Sequence, residues 1–196
     1  MGFSPSDKHQ TTSSIFSNIV DASTGSFTQS LTVSGIAVSL GGDGGGGVGE
    51  YALIEDSKSN GTVGGTFTAG AFRIRILNSK PVDEIGITLS ANRFTLPAGT
   101  YRIHARAPGF GVSNHVITLR NVTDLTTTLI GSAGRASSTS GEGDSVILGQ
   151  FTIGASKDFE IQHRCSISVA TFGFGTSTAL SGVSEIYTQV ALLKIA

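Results

Sequence analysis

Four histidines, a single cysteine and a few closely spaced carboxylates are the residues whose types could do chemistry. His9, His104, His115 and His163 have no HExxH, GxSxG or Cys/His motif around them. Cys165, in the alternating run HRCSISV, reads as a small buried hydrophobe rather than a nucleophile. One cysteine also excludes an intrachain disulfide and a cysteine-based zinc site. Glycoside hydrolysis needs two carboxyls facing each other about 5 to 10 Å apart. Asp83-Glu84 fails that requirement on a strand, where neighbours point to opposite faces. Glu142-Gly143-Asp144 offers oxygens for calcium but lacks the ligand density of an EF-hand loop. Phe172-Gly173-Phe174-Gly175 has no lysine and no following helix, so it is not a phosphate loop. The expectation is a non-enzyme with no catalytic residue, no metal and no cofactor.

Binding chemistry is better represented. The segment 106–115 (RAPGFGVSNH) gathers Arg106, Phe110, Asn114 and His115 in what reads as one loop between two strands. Carbohydrate sites use such groups, an aromatic face for the C–H patch of a sugar and planar polar groups for its hydroxyls. A second stretch, Gly131 to Asp144, is long, small and polar, with Arg135 as its one large side chain. Loop tips of that kind carry recognition on rigid β scaffolds. The candidate binding residues are therefore Arg106, Phe110, Asn114, His115 and Arg135.

These residues must be positioned by strands. Phe72, Ile74 and Ile76 alternate with Arg73 and Arg75, and Tyr101, Ile103 and Ala105 with Arg102, His104 and Arg106. Ile117 and Leu119 alternate with Val116, Thr118 and Arg120. A period of two marks strands with one buried and one wet face. Further runs at 51–55, 85–90, 146–153, 159–169 and 185–195 bring the expected number to eight or nine, separated by turn clusters such as Pro97-Ala98-Gly99. Nothing helical supplies crossovers, so the pattern predicts an all-β antiparallel sandwich or jelly roll and excludes a parallel α/β fold.

The 196 residues suffice for one large β domain with a short appendage, and 27 glycines with only 14% charged residues oppose a helical fold. A formal net charge of −1 leaves no electrostatic footprint for nucleic acid or an anionic membrane. No apolar run is long enough for a signal peptide core or a membrane span, which predicts neither classical export nor membrane insertion. Residues 41–49 (GGDGGGGVG) read as a hinge between residues 1–40 and a head at 50–196. Residues 15–40 scatter Ile15, Phe16, Ile19, Val20 and Phe27 among Ser and Thr, too few apolar groups for a core of their own. Three copies wound together could bury them at a shared axis; the alternative is that residues 1–40 are disordered, which the Ser, Thr and Gly abundance favours and the β-branched alternation of SLTVSGIAVSL opposes.

The segment 94–103 (FTLPAGTYRI) resembles the F-x-x-P-x-G-x-Y signature of the tumour necrosis factor and complement globular-head superfamily. The later unit VILGQFTIGASKDFEI resembles that superfamily's strand–turn–strand region, with Lys157-Asp158 where the superfamily has Gly-Asp. The stretch from Tyr51 to Ile195 also looks like the distal domains of bacteriophage tail fibres, and SFTQSLTVSGIAVSL resembles pieces of fibre shaft. These resemblances imply a homotrimeric jelly-roll head on a virion assembled in the host cytoplasm. Residues 1–40 would join other virion proteins, and the head would bind a host surface polysaccharide, lipopolysaccharide or outer-membrane protein. The alternative they leave open is a purely structural head fibre or decoration spike.

Overall fold

The structure is a computed structural model that describes residues 18–20, 27–33, 36–39, 49–137 and 141–196. The chain divides into two compact units, 1–48 and 49–196. In the first, strands β1 (Asn18–Val20), β2 (Phe27–Val33) and β3 (Ile36–Ser39) form an antiparallel sheet in that order. The rest of the expected fibre-like segment 1–40, and the glycine hinge apart from Gly49, lie outside the described residues.

The second unit contains β4 (Glu50–Lys58), β5 (Arg73–Ile74), β6 (Ser79–Asp83), β7 (Thr88–Ser90), β8 (Arg93–Leu96) and β9 (Gly99–Phe110). It continues with β10 (Ser113–Asn121), β11 (Thr126–Ile130), β12 (Gly134–Ala136), β13 (Glu142–Ile153), β14 (Lys157–Cys165) and β15 (Glu185–Lys194). One sheet has the order β13-β9-β15-β4-β6. The other runs β11-β10-β14-β8-β7, with β12 beside β10 and β5 beside β14. All pairings are antiparallel, and no helix occurs among the described residues. The chain passes repeatedly from sheet to sheet, which makes the unit an antiparallel jelly-roll sandwich, as its period-two pattern predicts. No described helix is long and apolar enough to cross a membrane.

Alternation explains most of the core. Along β9, Tyr101, Ile103, Ala105 and Ala107 point into the sandwich while Arg102 and His104 point out. Ile117 and Leu119 of β10, Phe159 and Ile161 of β14, and Val190 and Leu192 of β15 meet them from the other strands. Phe94 and Tyr101 of the FTLPAGTYRI segment join an aromatic chain: Phe94 packs on Phe159, Phe159 on Phe151, and Phe151 on Tyr101, at centroid separations of 5.9, 5.3 and 5.6 Å. The Tyr101 hydroxyl donates to the Pro97 carbonyl at 2.7 Å, so the motif locks the β8–β9 turn onto the core.

The 72–76 run takes the opposite phase to the one its apolar residues suggest. Arg75 is only 1% exposed, whereas Phe72 and Ile74 are each 42% exposed. The reason is hydrogen bonding. Arg75 Nε donates to Thr188 Oγ1 at 2.7 Å, Nη1 to the Pro108 carbonyl at 3.3 Å and Nη2 to the Phe174 carbonyl at 3.0 Å. Its guanidinium also lies 4.2 Å from the Phe174 ring centroid. Burial lowers its pKa to about 9, against the opposing pull of Asp56, Asp144 and Glu142, and leaves it protonated at neutral pH. One cation thereby ties β9, β15 and the 166–184 connection together. Arg75→Met strands three acceptors and is expected to cost about 2–4 kcal/mol of stability. A denaturant midpoint shift at unchanged slope measures it, and a midpoint equal to wild type contradicts the tie.

Candidate functional site

The expected 106–115 loop is largely strand. β9 runs through Phe110 and β10 begins at Ser113, so only Gly111 and Val112 connect the two sheets, with Gly111 at the positive φ of 67° that suits glycine. The five expected binding residues are consequently dispersed. Arg106 lies on the outer face of the five-stranded sheet, its Nε on Gln189 Oε1 at 2.8 Å and its Nη1 on Asp144 Oδ2 at 3.1 Å. Phe110 packs edge-on against Phe172 with centroids 5.3 Å apart. His115 points inward and is buried. Only Asn114 and Arg135 are brought together, as register partners on β10 and β12, both exposed on the outer face of the seven-stranded sheet. Residues 138–140 of the second expected loop lie outside the described residues.

The candidate acids are occupied structurally. Asp83 Oδ1 accepts the Gly86 and Ile87 amides, and Glu84 accepts the Tyr51 amide. Asp144 pairs with Arg106, and Glu142 accepts the Thr176 amide at 3.3 Å. No group of three or more His, Cys, Asp or Glu able to hold a metal occurs among the described residues.

The outer face of the five-stranded sheet carries an organised surface. Cross-strand register lays Leu148, His104, Ala191, Leu53 and Val82 in one row across β13, β9, β15, β4 and β6. Tyr51 and Leu193 stand opposite each other in the next row. Leu148, His104, Ala191, Leu193 and Tyr51 line a broad, mostly apolar depression of about 640 Å³ between Leu148 and Tyr51. Leu148 is 74% exposed. Along one side runs a hydrogen-bonded polar border, Asp144 to Arg106 to Gln189 to Glu55, closed by a 2.6 Å bond from Gln189 to Glu55. An apolar centre with a polar rim is the anatomy of a protein–protein interface. The signal for it lies in the sequence, because Tyr51 and Leu53, Leu148, and Ala191 and Leu193 occupy the phase opposite to the core residues of their strands.

Beneath the seven-stranded sheet lies a second, smaller core of Phe67, Val112, Ala136 and Cys165. It holds two buried imidazoles. His115 Nδ1 lies 2.9 Å from His163 Nε2, while His115 Nε2 and His163 Nδ1 have no hydrogen-bond partner among the described residues. Each neutral ring carries one N–H, so the accepting ring must hold its proton on its unpartnered nitrogen. A Cβ on Gly134 would stand 2.7 Å from His115 Nε2, so only glycine lets β12 close over the ring. Burial, with the Arg75 charge adding to it, lowers the His163 pKa to about 2 and also lowers that of His115. The adjacent Cys165 thiol is pushed up by burial, as befits an inert structural cysteine.

No protein-family model matches the chain, and no curated protein matches it. Crystal structures of murine APRIL at pH 5.0, 8.0 and 8.5 are similar to it, with TM-scores of 0.44, 0.41 and 0.42 and identities of 8%, 8% and 9%. Each match covers 74% of this chain and 98% of the APRIL chain.

The imidazole pair sets an acid limit on stability. Above about pH 6.5 both rings are neutral whether the chain is folded or not. Below it the unfolded chain binds protons that the fold rejects, so stability falls with pH by up to about 1.4 kcal/mol per pH unit per histidine. Melting temperatures measured from pH 7 to pH 5 should drop for the wild type and drop less for His163→Leu. Equal drops in the two proteins contradict the assignment.

Proposed function

We propose that this protein is a non-enzymatic, homotrimeric attachment protein of a virus particle. The jelly-roll unit is its head, residues 1–40 join it to other virion proteins, and the head engages a glycan or protein on the host surface. The observation that carries this reading is the row Leu148, His104, Ala191, Leu53 and Val82 on the outer face of the five-stranded sheet, mostly apolar and uncovered among the described residues. Apolar side chains aligned in this way cost free energy in water and favour burial against neighbouring copies of the chain around a shared axis. The small Ala191 at the centre of the row lets a neighbour approach closely, and the Asp144–Arg106–Gln189–Glu55 border fixes register at the rim.

Three copies are favoured by the sparse apolar residues of 15–40, which need a shared axis, and by the likeness of the 94–103 segment to a trimer-forming superfamily. Attachment is favoured by the resemblance of the head to fibre tips. One observation favours the structural reading, a spike without a receptor: Arg106, Phe110 and His115 all engage partners within the subunit.

Sedimentation equilibrium is expected to give three times the 20.1 kDa subunit mass. Leu148→Lys, which places a charge in the row, should weaken the assembly tenfold or more, about 1.4 kcal/mol. A folded monomer at micromolar concentration, or an assembly indifferent to Leu148→Lys, contradicts the reading. Binding of fluorescent protein to susceptible bacteria separates attachment from a structural role.

A further inference from the structure

We propose that the outer face of the seven-stranded sheet binds an anionic glycan, in a depression gripped by Arg164 and flanked by Arg135. This inference deepens the attachment reading and rests on it, because it names the class of surface saccharide the head would engage.

The argument begins with parity. On β14, Phe159, Ile161, His163 and Cys165 point inward, so Arg164 points outward; on β10, Asn114 and Val116 do the same. Register places Val116 opposite Arg164, and Asn114 opposite Arg135 on β12. With neighbouring strands about 4.8 Å apart, Arg135 and Arg164 flank β10 from either side within one saccharide-sized area.

Between them the short β12 leaves a depression of about 420 Å³, lined by Asn114, Val116, Ala133, Arg164 and Ser166 among others. That volume accommodates one or two sugar rings.

The charges there are unspent. The five ion pairs of the described residues use Lys80, Arg93, Arg106, Lys157 and Lys194, so among the described residues no carboxylate pairs with Arg135 or Arg164. In a chain whose formal net charge is −1, two such arginines on one patch are a local excess. The Arg164 guanidinium rests 5.9 Å from the Phe72 ring centroid, which limits its freedom without consuming its N–H donors. Preorganised guanidinium groups match the two oxygens of a carboxylate or phosphate. The Asn114 carboxamide makes no hydrogen bond among the described residues, so it offers a donor pair and an acceptor to sugar hydroxyls. Val116 and Ala133 give the floor an apolar surface for C–H groups. Carboxylated and phosphorylated saccharides share this chemistry.

The test uses the full chain and three fluorescent probes: an oligogalacturonate, a phosphorylated oligomannose and a neutral dextran oligomer. Anisotropy at low salt should show binding of one or both anionic probes and none of the dextran, and raising salt from 50 to 200 mM should weaken it. Arg164→Gln should weaken binding tenfold or more and Arg135→Gln several-fold. Arg120→Gln should change it less than twofold, since Arg120 stands four residues beyond Val116 on β10, about 13 Å along the strand. Melting curves confirm that these surface variants fold. Which anionic probe binds more tightly tells carboxylate from phosphate. The site is overturned if neither anionic probe binds at millimolar concentration, if dextran binds equally, or if Arg164→Gln binds as wild type does. Sedimentation of the same samples keeps the two readings apart. A trimer that ignores both anionic probes overturns this site alone, whereas a monomer that binds them overturns the assembly and leaves the site standing.

Discussion

The pleat of a β-sheet sends successive side chains to opposite faces, and the five-stranded sheet of this protein has apolar residues on both. Ala52, Ile54, Ile103, Ala105, Ile147, Val190 and Leu192 fill the inner face and build the core with the other sheet. Tyr51, Leu53, Leu148, Ala191 and Leu193 occupy the outer face, with no described element of residues 49–196 to cover them. A sheet that is apolar on both sides belongs in the middle of something, and in an isolated sandwich it forms one outer wall. The inner face is satisfied by folding. The outer face is the reason to expect more copies of the chain.

The opposite wall has a different character. The outer face of the seven-stranded sheet carries Arg164, Arg135, Asn114, Gln162 and Thr118, with Phe72 and Ile74 along the β5 side. If the five-stranded sheets pack toward a shared axis, this polar, cation-bearing wall is the one left facing outward. On the proposed reading the two surfaces divide the work, assembly on one wall and recognition on the other, across a sandwich held by the aromatic chain from Phe94 to Tyr101 and by buried Arg75.

Much of the sandwich is legible in the sequence because period-two alternation reports burial directly, as it does from Tyr101 to Ala107. The same rule fails at 72–76, where hydrogen bonds to Thr188, Pro108 and Phe174 make a cation the buried member; those partners lie 33 to 113 residues away, beyond any local pattern. The 106–115 segment reads as a loop because Pro108, Gly109 and Gly111 are turn formers, yet β9 extends through Phe110 by pairing with Glu142, Gly143 and Asp144 of β13. That pairing draws Arg106, Phe110 and His115 apart, and only Asn114 and Arg135 of the expected site stay neighbours. The burial of His163 leaves no local mark in the sequence, because its partner His115 comes from a different strand. Arg164 escapes sequence reading for a related reason: its neighbours Asn114 and Arg135 come from two other strands.

The central claim is that the outer face of the five-stranded sheet is covered in the assembled protein, and a comparison of two residues tests it without any mutation. Leu148 on that face and Ile130 at the end of β11 in the other sheet are 74% and 73% exposed in the subunit. Hydroxyl-radical footprinting of the intact protein, read by mass spectrometry, reports how much water each side chain meets. This account predicts fast oxidation of Ile130 and severalfold protection of Leu148, with protection lost on dilution below the assembly constant. Equal oxidation of the two residues at all concentrations would contradict it.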